Sequence, residues 1–346
     1  MAQAQSPAEV VNYLAVRNDW LSRRKEEILE PGLPIIDPHH HLWDREGWRY
    51  LLDDLLADTN SGHNILATVF VQARSMHRAD GPEEMKPVGE VEFVNGVAAM
   101  TASGIYGKIR ACAGIVGHAD LMLGGRVEPV LHALDRAGGG RFRGIRHITA
   151  WDADPLVRNP GNPAVPGMAA DAKFREGLKT LARLGYTYDA WCYHPQIDEI
   201  TALADAVPEA KIVMNHCGGP VAIQSYKRDE VFPVWKKSIE ALAKRPNVSV
   251  KLGGLGMRIG GHGFETLPDP PSSQTLAEAW KPYIDTCIAA FGTNRGMFES
   301  NFPVDKGLYS YWVFWNAAKI LAKGATAAEK ADLFFGTAKR FYRLNV

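Results

Sequence analysis

Net charge is the first thing this sequence lacks. Lys plus Arg number 39 and Asp plus Glu number 39, so the formal charge is zero. That balance argues against a nucleic acid or an anionic membrane as a partner gathered by bulk charge, although a local patch is not excluded. Cysteine is scarce too: Cys112, Cys192, Cys217 and Cys287 are the full set, and no two form a C-x-x-C pair. They read as reduced thiols of a cytoplasmic protein, not as a disulfide framework. No run approaches the ~18 apolar residues of a membrane span. The N-terminus has no basic start followed by an apolar core, so a signal peptide is not expected. Several catalytic signatures are also missing. There is no G-x-S-x-G elbow, no H-E-x-x-H, no phosphate loop, and no G-x-G-x-x-G after the first strand-like run.

What is present is a large, patterned chain. It has 346 residues, 46% of them hydrophobic, enough for a sizeable core and close to the length of a (β/α)₈ barrel with insertions. Ser6, Pro7 and Glu9 form a capping box that predicts a first helix, with Pro31 and Gly32 as its stop signal. Residues 1–32 therefore read as a helical extension packed on the outside, and 33–346 as the main domain.

Within that domain, strand-like runs alternate with helical patterns. The runs are "PIIDPHH", Asn64 to Ala73, Lys108 to Val116, Phe142 to Thr149, Tyr186 to His194, Lys211 to Gly218, Val248 to Leu255 and Gly296 to Phe302. They are dense in Val, Ile and aromatic residues, as strands covered on both faces should be. The last helix opens on a second capping box, Thr326 and Glu329. Eight strand–helix repeats predict an α/β fold, a (β/α)₈ TIM barrel; a doubly wound sheet is the rival. Long Pro- and Gly-rich loops follow the fourth strand (Trp151 to Asp171) and the seventh (Gly256 to Ser273). In a barrel both would overhang the C-terminal face, where active sites lie.

The stretch "IIDPHHHLWD" carries the strongest chemical signal. On a strand, Asp37, His39 and His41 share one face and His40 takes the other. Imidazoles two residues apart, roughly 6.5 Å between Cα atoms, can converge on one cation. H-x-H alone is weak; its place at the end of a first strand strengthens it. Other polar groups end other strands: Arg146 and His147, His194, His216, then Ser300, Asn301 and Asp305. Each also has a plainer reading: His194 as a cap for the helix after Pro195, Arg146 as an ion-pair partner, His216 as a satisfied core histidine.

Four stretches in order, "DPHHHLW", "FRGIRHI", "PEAKIVMNHCGGP" and "GMFESNFPVD", resemble the amidohydrolase-2 branch of the amidohydrolase superfamily. That group includes sugar lactonases and dicarboxylate lactone hydrolases. The resemblance implies a barrel with its site at the strand C-termini and hydrolysis of a small carbonyl compound, often a ring ester. It implies a divalent ion, Zn²⁺ or another, on His39, His41 and His216, and Arg146 as a holder of a substrate carboxylate. Trp43 and Asn301 are expected beside it. Where relatives carry an aspartate base after the eighth strand, this chain has Asn301, which cannot accept a proton as a carboxylate does. Asp305 or His194 is expected to replace it.

Some relatives work without metal, and the histidines would then donate to the oxyanion. The expected activity is opening of a lactone or small ester. A metal-dependent decarboxylase of an aromatic or unsaturated acid is the second reading, and an inactive barrel with a binding role the third. The expected partner is a small, anionic molecule; self-association into a homo-oligomer is left open.

Overall fold

The computed structural model describes residues 13–159 and 161–346. Its centre is one eight-stranded parallel sheet: β1 (Pro34–His40), β2 (Asn64–Val71), β3 (Arg110–Gly117), β4 (Phe142–Arg146), β5 (Thr187–Ala190), β6 (Lys211–Met214), β7 (Val248–Leu252) and β8 (Gly296–Phe298). All eight match the runs read from sequence, and they pair in chain order. The sheet closes between its first and last strands. His41 N–H donates to Phe302 O at 2.8 Å, and Asn301 N–H to His39 O at 3.0 Å. Asp37 adds a side-chain clasp at the same seam, accepting from the Ser300 hydroxyl at 2.6 Å and the Tyr311 hydroxyl at 2.9 Å.

Strand alternation separates two layers. Ile35, Phe70, Ile115, Ile212 and Phe298 point outward into the main core beneath the helices. Their neighbours Ile36, Val69, Val116, Val213 and Met297 point inward. The inner cluster also takes in Tyr342 and Leu344, so the end of the chain plugs the barrel. Around it stand α1 (Leu52–Thr59), α2 (Val88–Ala102), α3 (Glu128–Gly138), α4 (Ala172–Arg183), α5 (Ile197–Ala206), α6 (Arg228–Ala243), α7 (Ser273–Phe291) and α8 (Tyr311–Leu321). Both long loops end on helix caps: Asp171 accepts from Lys173 N–H at 2.7 Å, and Ser272 from Thr275 N–H at 3.0 Å. Such caps satisfy backbone donors that the first helical turn leaves open. The Thr326–Glu329 box is formed as read, with Glu329 accepting from Thr326 N–H at 2.8 Å.

An N-terminal helix is present but short, and a hairpin after β1 adds to the sequence reading. The Ser6–Glu9 box lies outside the described residues. From residue 13 to β1 the chain holds a single helical turn, Asn18–Leu21, and otherwise runs as an irregular strap. Its polar side chains are spent on carbonyls of distant loops, such as Arg24 on Pro270 O, so it gains partners without being helical. A short hairpin, Trp43–Arg45 with Trp48–Tyr50, follows β1 and was not anticipated. No helix among the described residues is long and apolar enough to cross a membrane, and all four cysteines are buried and free.

Barrel closure demands close strand approach at Gly144. A Cβ there would lie 2.2 Å from Thr187 O of the next strand. Gly144→Ala is therefore expected to lower unfolding stability by about 2 kcal/mol or more, the scale of core overpacking. Urea denaturation would measure it; an unchanged midpoint would contradict this packing.

Candidate active site

Over the C-terminal ends of the strands opens a cavity of about 480 Å³. Beneath the lining residue His216, Glu299 follows β8 and is fully buried. Its Oε1 accepts from His216 Nδ1–H at 2.7 Å and from His216 backbone N–H at 3.0 Å. Its Oε2 lies 2.6 Å from His39 Nδ1, yet forms no aligned hydrogen bond, which leaves a buried carboxylate oxygen open. The chain after β6 and β7 is built to admit this cluster. His216 and Cys217 adopt φ of 54° and 52°, left-handed values uncommon outside glycine. A Cβ on Gly254 would lie 2.2 Å from His216 Nδ1, so Gly254 makes room for the imidazole, while a Cβ on Gly253 would lie 2.1 Å from Glu299 O.

The histidines gather as strand alternation predicts. The rings of His39 and His41 lie 5.0 Å apart, and those of His39 and His216 4.5 Å apart. His40 turns away to Thr68 Oγ1 at 2.8 Å. His41 donates Nδ1–H to Val71 O at 2.8 Å, which leaves Nε2 with its lone pair, and the ring stacks on Trp43. Burial, more than any neighbour, lowers the pKa of all three; Lys251 adds to the effect at His39 and Arg146 at His41, while Glu299 opposes it at His216. Neutral imidazoles are the form that can ligate a metal. His39, His216 and Glu299 offer one ligand atom each, all within 4.8 Å of one another. Two imidazoles and an unpartnered carboxylate oxygen suit a divalent ion. His41, expected as a ligand, stands outside this group, and Glu299, not anticipated, belongs to it.

Arg146 ends β4 and lines the same cavity. It donates to Gln72 O at 2.5 Å and approaches His39 Nε2 at 3.3 Å, but its buried Nε–H has no partner. Burial lowers its pKa to about 10, so it stays cationic at neutral pH. Beneath the site, the fully buried Lys251 of β7 donates to Asp189 at 2.7 Å and Pro38 O at 2.8 Å, and lies 3.1 Å from His39 Nδ1. The Tyr342 hydroxyl donates to the same Asp189 at 2.9 Å.

The remaining expected residues separate. Trp43 and Asn301 line the cavity. Asp305 does not. It sits behind Asn301, accepting from Asn301 Nδ2 at 2.9 Å, the Tyr309 hydroxyl at 2.6 Å and Gly256 N–H at 3.2 Å. His194 is also outside the cavity lining; its Nδ1 accepts from Val221 N–H at 3.2 Å and its ring packs on Tyr226. It follows the early end of β5, where the chain has already turned off the rim. Sequence reasoning passed over Glu299, Lys251 and Asp189. The signal was available: each is a charged residue inside an apolar strand run, which demands a buried partner.

Two tests follow from these charges. Lys251→Met leaves Asp189 without its ammonium and is expected to cost about 3 kcal/mol or more in denaturant unfolding. Asp305 is pushed up to about 7 by burial, against the bonds from Tyr309 and Asn301. An unfolded aspartate titrates near ~3.9, so across that interval the folded state binds the extra proton. Its contribution to stability therefore falls as pH rises from about 4 to about 7 and is flat above. Wild type should lose stability relative to Asp305→Asn across that window; parallel pH curves would refute the shift.

The amidohydrolase family's sequence model matches residues 36–344. The uncharacterized protein y4mH of Sinorhizobium fredii is 33% identical, covering 90% of this chain and 99% of its own. L-fucono-1,5-lactonase of Burkholderia multivorans is 25% identical over 90% of this chain and 97% of its own. Among solved structures, an amidohydrolase from Burkholderia multivorans with bound Zn superposes with a TM-score of 0.69 at 25% identity, covering 90% of this chain and 99% of its own. Barrel, strand-end cluster and matched sequence agree: the chain belongs to the amidohydrolase family.

Proposed function

We propose that this protein hydrolyses a lactone or similar small ester that carries a carboxylate. The observation that carries the reading is Arg146, a buried cation on the cavity wall whose Nε–H has no partner. A buried unpaired donor is costly, and a planar carboxylate is the acceptor that a guanidinium suits best. The polar side chains of Gln72, Asn162 and Asn301 line the same cavity wall as Arg146. The 25% identity to L-fucono-1,5-lactonase supports ring esters as the substrate class.

His39, His216 and Glu299 would hold a divalent ion, and the Zn-bound relative supports zinc. Such an ion supplies Lewis-acid polarisation of a carbonyl and acidifies water. The protein's own groups do the rest. Arg146 seats the substrate carboxylate. Asn301, whose Nδ2 is committed to Asp305, presents Oδ1 as an acceptor that orients the attacking water. His41 Nε2, its tautomer set by Val71 O, takes the water's proton as its oxygen adds to the carbonyl, and returns that proton to the ring oxygen as the acyl C–O bond breaks. A substrate anion on Arg146 offsets the guanidinium charge that depresses His41, so binding raises its basicity. Asp305 has the task of holding Asn301.

The test is a screen of carboxylated and neutral lactones and esters with metal analysis of the same preparation. Wild type should open carboxylated lactones. Arg146→Lys should raise KM for them at least about tenfold, the scale of a lost charge-assisted bond, and change neutral esters little. Release of CO₂ with no water consumed would replace hydrolysis by decarboxylation. Absence of turnover on every carboxylated lactone would sink the proposal.

A further inference from the structure

The family's sequence model begins at residue 36, but the cavity does not. Tyr13 lines it, together with Asn159 and Gly161 from the long loop after β4. Its hydroxyl accepts from Asn159 Nδ2 at 3.1 Å, and its ring lies 5.3 Å from that of Trp48 on the hairpin. From there the rings continue inward. Trp48 meets Trp43 at 4.6 Å, and Trp43 stacks on His41 at 5.7 Å. A run of four rings thus leads from half-buried Tyr13 at the mouth to buried His41 at the base.

The strap behind Tyr13 is fastened at successive points. Leu14 packs on Gly307, where a Cβ would lie 2.5 Å from Leu14 O. Arg17 donates to Glu265 O at 2.8 Å, Trp20 Nε1–H to Pro268 O at 3.0 Å, and Arg24 to Pro270 O at 2.9 Å. Those carbonyls belong to the loop after β7, which has little regular structure of its own. Glu26 then accepts from Ser273 N–H at 3.0 Å, at the start of α7. Side chains from the strap therefore satisfy loop backbone that would otherwise need water, and the same bonds place Tyr13 at the rim.

We propose that Tyr13 is a specificity-determining residue that contacts the substrate, and that the strap from residue 13 to β1 serves to hold it in the wall of the active-site cavity. The proposal rests on the anion reading of Arg146. A ligand with its carboxylate on Arg146 and a planar body against the lining rings of Trp43 and Tyr13 has a face to stack; an anion of two carbons has none. Aromatic stacking is tolerant of substituents, so Tyr13 selects for a ring-sized body over a small one.

Benzoate and acetate are the probes, titrated into the full chain and read by tryptophan fluorescence, since Trp43 and Trp191 line the cavity. Tyr13→Ala should weaken benzoate at least about fivefold, the scale of one lost ring contact, and leave acetate within about twofold. Tyr13→Phe, which keeps the ring and loses only the Asn159 bond, should hold benzoate near wild type. Equal benzoate affinity in Tyr13→Ala and wild type overturns the proposal and leaves the anion site standing. So does an equal loss for both anions, which marks Tyr13 as scaffold, and so does a loss in Tyr13→Phe as large as in Tyr13→Ala. Wild type that responds to neither anion overturns the proposal and the anion site together.

Discussion

The rest of the site depends on one buried carboxylate. Glu299 leaves β8 with no access to water and meets His216 after β6 and His39 in β1. A carboxylate taken out of water must find hydrogen-bond donors or a cation. His216 supplies two donors, its Nδ1–H and its backbone N–H, and the ammonium of Lys251 stands 3.9 Å away. Meeting the demand draws four strands to one point, because β1, β6, β7 and β8 each bring one member. It also sets the Nδ1–H tautomer of His216, and so directs which nitrogen is left for chemistry. A carboxylate behind an imidazole is a common device for orienting metal ligands.

The surrounding geometry follows from that demand. The imidazole of His216 needs room, and Gly254 provides it, since any Cβ there would touch the ring. The chain that carries His216 turns through left-handed backbone at two non-glycine residues, a strain held in place by Glu299 and the Trp235 bond to Cys217 O at 2.7 Å. Arg146 and Lys251 are buried cations; Asp189 and Glu299 are buried carboxylates among them. Burial itself keeps the histidines neutral, and the nearby Lys251 and Arg146 reinforce it. Neutral imidazole is needed for both tasks proposed above, ligation at His39 and His216 and proton acceptance at His41.

The unused donor on Arg146 and the run of rings from His41 to Tyr13 divide the cavity by chemistry. The base is charged and polar, suited to the reacting ester and its carboxylate. The wall is aromatic and reaches outward through a hairpin and a strap that the barrel itself does not require. Catalytic groups thus sit on strand ends, where position is rigid. The aromatic lining residues Trp43 and Tyr13 sit on added segments, where change does not disturb the barrel.

By itself the sequence determined the eight strands, their order, the closed parallel sheet and the facing of His39 and His41. Each is local or periodic: dense apolar runs mark buried strands, and a period of two assigns faces. It also marked Arg146, His216 and both long loops as strand-end features. It carried the charges at 189, 251 and 299 in plain view but could not say whom they meet, because a buried charge chooses its partner across the barrel. Only the tertiary structure decided that Glu299 joins the histidine cluster, that Asp305 stands behind Asn301, and that residue 13 reaches the cavity. The first and last of these depend on contacts between residues more than 80 positions apart, as between His216 and Glu299 and between Tyr13 and Asn159, and no local pattern encodes the distance between two strand ends.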